Sequence, residues 1–307
     1  MNGVAYRPAY VQLHRRGELE ARGRQLWEIY RECRLCPREC GANRLEGDTG
    51  FCKATASLKV ASFNAHFGEE RPLVGVGGSG TIFLSHCHLG CVFCQNWDIS
   101  HKGAGTEAGL ADLAGMMLRL QEEGCQNINV VTPTHFAPHV VLALDQAAGK
   151  GLRLPLVYNT CGWERSEILE ILDGIVDIDL ADFKYMDAGN ASRYSSDAGS
   201  YPEISRSALL EMNRQVGVAR PERNGVIHRG LMIRHLVMPG DVSGSVDAMR
   251  WISRSLPLDT YVNIMIQYRP AYRAHLYHEI DAYVSREQYL EVVREAGDCG
   301  LTNLDVD

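Results

Sequence analysis

Seven of the ten cysteines in this chain fall into two short groups, and their spacing is the clearest chemical signal in the sequence. The second group, Cys87, Cys91 and Cys94, has the pattern C-x3-C-x2-C. Three thiolates are one fewer than a closed metal site needs, because structural zinc and electron-transfer iron–sulfur clusters normally take four protein ligands. The triad therefore predicts a metal site with one position open to a ligand that is not protein.

The same triad could instead belong to an ordinary site with four protein ligands. The fourth ligand would be a more distant cysteine or a neighbouring histidine: Cys125, Cys161, Cys299, His86 or His88. The protein would then be a closed-site iron–sulfur or zinc protein that acts in electron transfer or binding. A small fold suffices for such a carrier, whereas a long stretch of regular structure follows this triad, so the sequence favours the open site.

The first group of cysteines supplies four thiolates and so predicts a closed site. It comprises Cys33, Cys36, Cys40 and Cys52. Structural zinc and an auxiliary iron–sulfur cluster would both suit it, and the C-x2-C start favours zinc. Residues 1–55 are expected to form a small module around this metal, because their core is too small to fold on apolar burial alone. Residues 56–307 would form the main domain.

Composition indicates a globular protein that does not bind nucleic acid. The chain has 307 residues, of which 45% are hydrophobic and 22% are charged, and its net charge is -7. An acidic chain lacks the positive charge that phosphate neutralisation requires. The sequence has no apolar run of about 18 residues and no signal-peptide pattern at its start. We therefore expect a cytoplasmic protein with no membrane partner, whose reduced thiols favour metal over disulfides.

The elements that must position the cysteines are predicted to be repeated βα units around a parallel sheet. From Thr81 onward, short apolar runs alternate with amphipathic stretches, which is typical of α/β proteins. Six strands are predicted: Thr81–Leu84, Asn127–Val131, Leu154–Tyr158, Val176–Phe183, Leu231–Val237 and Tyr261–Gln267. The triad directly follows the first of them. Six strands are too few for an eightfold barrel, so we predict a partial (β/α)6 barrel of the TIM type.

Two helices have clear boundary signals. The first is predicted where apolar residues recur on one face, at Leu110, Leu113, Met117 and Leu120. Thr106 is its expected N-cap, and Gly124 lies just past its end. The second helix is predicted to begin at Ser285, whose side chain can form a capping box with Gln288.

The triad resembles the signature of the radical S-adenosylmethionine (SAM) superfamily, which has this spacing with an aromatic residue, here Phe93, before the last cysteine. Three further segments are His66–Gly75, Gly77–Phe83 and Asn263–Pro270. Together they look like the PflX-like group related to pyruvate formate-lyase activating enzymes. The resemblance thus extends over most of the chain.

The resemblance implies an oxidoreductase-like enzyme with a [4Fe–4S] cluster on Cys87, Cys91 and Cys94. In that superfamily SAM chelates the open iron and is cleaved reductively to methionine and a 5′-deoxyadenosyl radical, which abstracts hydrogen from a substrate. The cofactor carries the chemistry, and the protein supplies position and shielding. A reducing partner such as flavodoxin or ferredoxin is implied. The substrate is either a partner protein, as for the activating enzymes, or a small molecule, and the sequence does not decide between them.

Contacts to SAM are expected at the carboxyl ends of the strands, where barrel-type folds bind their ligands. The segments there that are similar to family segments near the cofactor contain Asn159, Thr160, Asp182, Lys184, Arg234 and His235. The second strand departs from the family: many members end it in Gly-Gly-Glu, which holds the SAM amino group, but here residues 132–135 are Thr-Pro-Thr-His. The binding of that amino group is thus left open, and the sequence identifies no catalytic residue.

Overall fold

The computed structural model describes residues 6–306, and its central feature is one mixed sheet. Within this range the sheet has nine strands: β1 Lys59–His66, β2 Ser79–Leu84, β3 Thr106–Glu107, β4 Ile128–Val131, β5 Leu156–Thr160, β6 Ile178–Asp182, β7 Gly230–Leu236, β8 Tyr261–Met265 and β9 Leu304–Val306. Their order across the sheet is β3-β1-β2-β4-β5-β6-β7-β8-β9. The seven strands β2 and β4 to β9 run parallel to one another, whereas β1 pairs antiparallel with both β2 and β3. The prediction of the α/β class is confirmed.

Helices lie between most of the parallel strands, as right-handed βα connections require. They are α1 Tyr10–Arg15, α2 Glu18–Glu28, α3 Arg71–Val74, α4 Trp97–Ser100, α5 Leu110–Glu122, α6 Ala137–Gly149, α7 Ser166–Leu172, α8 Ala188–Tyr194, α9 Tyr201–Val216, α10 Ser245–Ser255 and α11 Arg286–Asp298. Among the described residues, no helix is both long enough and apolar enough to cross a membrane.

Each of the six predicted strands overlaps one strand of the sheet, namely β2 and β4 to β8. The prediction missed β1, β3 and β9, which lie at or next to the two edges of the sheet. β1 alternates only weakly between half-buried and exposed residues, and β9 has three residues, so neither carries a strong apolar pattern. The edges are set by pairing with the sheet rather than by local sequence.

Of the two predicted helix starts, one is confirmed by the structure and the other is wrong. The capping box of α11 is confirmed, because the Ser285 hydroxyl accepts from the Gln288 backbone N–H at 3.1 Å. The prediction of Thr106 as N-cap of α5 is wrong, because Thr106 lies in β3 and pairs with Val60 of β1. The N-cap lies three residues later, at Gly109, whose N–H donates to the Asp112 carboxylate at 2.8 Å.

The N-terminal helices share the core of the sheet. Leu19 and Leu26 of α2 are fully buried in the same apolar cluster as Val141 and Leu144 of α6. These residues therefore contribute to the main core as well as preceding the first cysteine group. The proposed division after residue 55 stays a prediction.

Helix α3 covers the amino ends of the parallel strands. Its Leu73 is fully buried against Ile178, Leu180 and Met232, which lie on one face of β6 and β7. The Asn127 side chain, directly before β4, donates to the Leu73 carbonyl at 2.8 Å and fixes this helix in place. One end of this face is thus apolar and filled, which leaves the carboxyl ends of the strands for polar residues.

A glycine is required where the chain leaves β5. Gly162 has φ +77°, and a Cβ there would lie 1.9 Å from the carbonyl oxygen of Asp182 at the end of β6. Close approach of the two strand ends therefore excludes any side chain at this position. Gly17 is a useful comparison, because its φ is +72° but a Cβ added there would meet nothing within 4 Å.

We expect Gly162→Ala to lower the free energy of unfolding by more than about 3 kcal/mol, because overpacking adds to the conformational cost. Gly17→Ala should lower it by only about 1 to 2 kcal/mol, since the left-handed backbone alone is penalised there. Urea unfolding of both variants measures the difference. Equal losses would show that the strand ends separate easily.

Candidate metal and cofactor site

The cysteine triad lies in the segment that follows β2. Cys87, Cys91 and Cys94 line one cavity of about 270 Å³ at the carboxyl ends of β2, β4, β5 and β6. Gly90 has φ +72°, and a Cβ there would lie 2.8 Å from the Phe51 ring. The tight turn between the first two cysteines therefore needs glycine. The geometry brings the predicted ligands of the open site together on one wall.

The sulfur atoms of the triad accept hydrogen bonds from the protein. Ser195 donates its hydroxyl proton to Cys91 Sγ at 3.2 Å, and the Leu89 N–H donates to Cys87 Sγ at 3.4 Å. Burial raises the pKa of Cys91 to about 12, so this thiol keeps its proton until a metal displaces it. Hydrogen bonds to ligating sulfur are among the factors that set cluster potentials. The triad thus fits an iron–sulfur cluster.

The residues that could supply a fourth ligand to the triad lie in different parts of the structure. Cys161 and His86 line the same cavity as the triad. Cys125 lies at the opposite end of β2, beside Gly80, and Cys299 contacts Glu295 of α11 at 3.2 Å. His88 Nε2 lies 3.1 Å from the Trp163 carbonyl oxygen and 3.4 Å from Cys161 Sγ. Cys161 is therefore the remaining cysteine that could compete for the open position.

Cys161 also belongs to a buried trio that sequence analysis did not assemble. One ligand atom each of His88, Cys161 and Glu164 lie within 4.8 Å of one another. The trio could hold a metal ion. His88 is 73 positions from Cys161, so no local motif could have revealed this group. The Glu164 carboxylate accepts from the hydroxyls of Thr134, at 2.5 Å, and Thr160.

Burial raises the pKa of Glu164 to about 7, against the opposing effect of the two threonine hydroxyls. Its second carboxylate oxygen has no hydrogen-bond partner within residues 6–306. Because an ionised carboxylate in this position would be poorly compensated, the neutral acid is the stable form below neutral pH.

The four N-terminal cysteines form one group beside the triad. Cys33, Cys36 and Cys52 are buried, and Cys40 is exposed. A Cβ at Gly50 would lie 2.2 Å from Cys40 Sγ, so the backbone of Gly50 packs directly against this thiol. Burial raises the pKa of Cys36, and the neighbouring thiols of Cys52 and Cys33 add to this effect. Cys36 is therefore close enough to Cys33 and Cys52 for their charges to affect its ionisation.

Arg38 connects the two cysteine groups. It lies between Cys36 and Cys40, and its guanidinium donates to the carbonyl oxygens of His88 and Leu89 at 3.0 Å each. The same guanidinium donates to the carbonyls of Ser195 and Ser196. The turn that carries the triad is thus fixed to the N-terminal segment by a single side chain.

Five of the six residues expected to contact SAM line the triad's cavity: Asn159, Thr160, Asp182, Lys184 and Arg234. Asp182 Oδ1 lies 2.8 Å from Arg234 Nε, and its Oδ2 lies 2.6 Å from Lys184 Nζ. Burial would raise the pKa of Asp182, but the two cations outweigh it and lower the pKa. The carboxylate therefore stays charged inside the protein.

The structure does not bring His235 to this cavity. Its Nδ1 lies 2.6 Å from the Phe183 carbonyl oxygen, and its Nε2 lies 2.9 Å from Ser245 Oγ at the start of α10. Burial lowers its pKa to about 4. Because successive side chains of a strand point to opposite faces, Arg234 and His235 cannot both reach the same cavity. His235 therefore packs against the helix layer.

A second cavity, of about 770 Å³, adjoins the first and is lined from opposite sides of the sheet, by His66 of β1, next to the edge strand β3, and by Asp305 of the edge strand β9. Residues shared by the two cavities are Phe83, Gln95, Asn96, Val131, Asn159 and Arg234. Sequence analysis assigned no role to Glu69 and Glu70, which also line it. Burial raises the pKa of Glu69 to about 7, although Arg234 opposes this shift.

Glu164→Gln should remove a pH dependence of stability. The folded chain holds the Glu164 proton up to about pH 7, whereas the unfolded chain releases it near 4.5, so the wild type loses stability as pH rises between these values. The variant should therefore gain roughly 2 kcal/mol relative to wild type between about pH 5 and about pH 8. Urea unfolding at both pH values measures this, with the exposed Glu203→Gln as control. A difference that is the same at both pH values would contradict the prediction.

No protein-family model matches the chain. An uncharacterized protein of Methanocaldococcus jannaschii is 31% identical to it over 273 residues, which cover 85% of this chain and 72% of the relative. The chain belongs to the same family as this uncharacterized archaeal protein.

Proposed function

We propose that the protein is a radical SAM enzyme. The observation that carries this proposal is that the C-x3-C-x2-C triad shares one cavity with five of the six residues expected to contact SAM. These side chains come from separate strands and from the segment after β2. A structural metal site would need four protein ligands but no adjoining pocket of buried charged and amide groups.

Cys87, Cys91 and Cys94 would hold a [4Fe–4S] cluster. When bound, such a cluster supplies the electron that cleaves SAM to methionine and a 5′-deoxyadenosyl radical. Lys184 brings a positive charge to the thiols, since it lowers the pKa of Cys91 against the effect of burial. Apolar Leu84, with an exposure of 2%, helps to exclude water from the wall behind the cysteines.

The residues around Asp182 would bind the polar parts of SAM. Arg234 and Lys184 are held by this carboxylate, and Arg234 also donates to the Asn159 amide oxygen at 2.6 Å. A site of fixed ion pairs and amides can orient a zwitterionic ligand without rearranging. Thr160 lines the cavity as well, although its hydroxyl is used by Glu164.

The scaffold is proposed to be a partial (β/α)6 barrel. The parallel strands β2 and β4 to β8 would form it, and this is supported by the second cavity, which residues of both β1 and β9 line from opposite sides of the sheet. The four N-terminal cysteines would bind zinc or an auxiliary cluster.

A closed-site electron carrier is the second candidate, and Cys161 is the observation that favours it. Its thiol lines the triad's cavity, and the nearby Cys87 thiol contributes to raising the pKa of Cys161 after burial. In that case SAM would not bind to the metal. For the radical enzyme, a flavodoxin or ferredoxin would deliver the electron, and the substrate would be a protein or a small molecule.

We expect the anaerobically reconstituted and reduced protein to form 5′-deoxyadenosine and methionine from SAM and to show a SAM-dependent change in its low-temperature electron paramagnetic resonance spectrum. Cys91→Ala should abolish both, because one iron ligand is lost. Cys125→Ala is the matched control and should leave both intact, since this buried thiol lies at the opposite end of β2. No cleavage by a fully loaded wild-type protein would refute the radical SAM proposal.

The Cys161→Ala variant distinguishes a triad with an open metal position from a site in which Cys161 is the fourth ligand. If the triad alone holds the cluster, the variant should keep the SAM-sensitive resonance signal and at least about half of the cleavage rate, since no ligand is removed. If Cys161 is the fourth ligand, the wild-type signal should be indifferent to SAM. The same spectra with and without SAM, recorded on both proteins, decide between the two sites.

A further inference from the structure

Carboxyl side chains outnumber guanidinium side chains three to two in the lining of the second cavity. The side chains of Glu69 and Glu70 are only 9% and 4% exposed. Arg234 is the cation that faces both, yet its guanidinium lies 3.6 Å from Glu69 and 3.9 Å from Glu70. It lies much closer, at 2.8 Å, to Asp182. The Arg234 guanidinium is therefore shared by three carboxylates, and its ion pairs with the two glutamates are the longer and weaker ones.

Glu70 has an unused acceptor inside this cavity. Its Oε1 accepts from the Asn263 amide at 3.1 Å, but its Oε2 is buried without a hydrogen-bond partner in the described part of the chain. A buried carboxylate oxygen with no donor is costly. The exposed Arg71 lines the same cavity, and within residues 6–306 it has no ion pair with either glutamate inside 4.0 Å. An occupant of the cavity that carries N–H donors would supply what is missing.

The spacing of these groups suits an organic cation better than a metal ion. Calcium and magnesium hold oxygen ligands at about 2.0 to 2.6 Å, which requires the ligand atoms to converge closely. Among the described residues, no trio of acidic or histidine ligand atoms lining this cavity lies within 4.8 Å of one another. An ammonium group carries three N–H donors and can bond several acceptors that are farther apart.

We infer that Glu69 and Glu70 bind a primary ammonium group of the substrate in this second cavity. The inference rests on the proposed function, because the cavity is connected to the triad's cavity through Asn159 and Arg234 and would hold the substrate beside SAM. The amide side chains of Asn96, Asn263 and Gln267 line the same space and can bind further polar groups of that substrate. The substrate is thus an amine, either as a small molecule or as a lysine side chain or N-terminus of a protein.

The test uses calorimetric titration of the reconstituted protein, in the presence of SAM, with three probes of similar size: butylammonium, pentan-1-ol and pentanoate. Butylammonium should bind, and the neutral and anionic probes should not. Glu70→Gln should weaken the binding of butylammonium by at least about tenfold, because a charge-assisted hydrogen bond is lost. Glu203→Gln, on the exposed side of α9, is the matched control and should bind as the wild type does.

A second variant, together with a check of folding, excludes unfolding as the cause of weaker binding. The affinity for SAM shows whether the two glutamates bind SAM instead of the substrate. Glu69→Gln should also weaken butylammonium binding, and the circular dichroism of both variants should match that of the wild type. SAM affinity should change less than about twofold in either variant. Equal binding of the three probes, or butylammonium binding that survives both substitutions, would overturn the inference. A tenfold loss of SAM affinity would also overturn it, because the pair would then bind the ammonium group of SAM.

Failure of the proposed function is measured separately. The titration reports on the second cavity whether or not SAM is cleaved, whereas the cleavage assay on the wild type reports on the triad. Butylammonium binding without cleavage would therefore support the amine site and refute the radical chemistry. SAM cleavage without butylammonium binding would support the radical chemistry and refute the amine site.

Discussion

One buried ion network at the carboxyl ends of the parallel strands controls the chemistry of both cavities. In it the carboxylate of Asp182 holds Lys184 and Arg234 at 2.6 and 2.8 Å. Buried charges persist only when they are paired and hydrogen-bonded, so none of the three can be changed alone without leaving a charge uncompensated. Lys184 extends the network toward the cysteine thiols, and Arg234 extends it toward Glu69 and Glu70. The network therefore determines the electrostatic field on either side.

The pleat of the strands decides which residues join this network. Along β6 the same face carries Ile178, Leu180 and then Asp182, so it changes from apolar to charged toward the carboxyl end. The apolar end is filled by Leu73 of α3, which excludes water from beneath the ion pairs. The positions of opposite parity, such as His235, face the helices instead. The alternation of side chains along the strands, together with helix α3, thus makes the amino end of this face apolar and its carboxyl end polar.

Sequence reasoning found what is local and missed what is assembled by the fold. The triad and the six inner strands carry short, strong patterns, and the structure places them together. The pair Glu69 and Glu70 meets Arg234 from more than 160 positions away, and His88 meets Cys161 from 73 positions away, so periodicity could not connect them. His235 is different, because strand alternation applied to Arg234 already excludes it from the same cavity. Thr106 failed as a cap because pairing with β1 outweighed its local preference.

The two cysteine groups are mechanically coupled through Arg38. Its guanidinium donates to carbonyl groups of His88 and Leu89, between the first two cysteines of the triad, and to that of Ser195. Ser195 in turn donates to Cys91 Sγ. A metal bound by the N-terminal cysteines would order the loop that carries Arg38, because metal binding in such small units supplies folding energy. A metal on the N-terminal cysteines would therefore help to position the thiols of the triad without sharing a ligand with them.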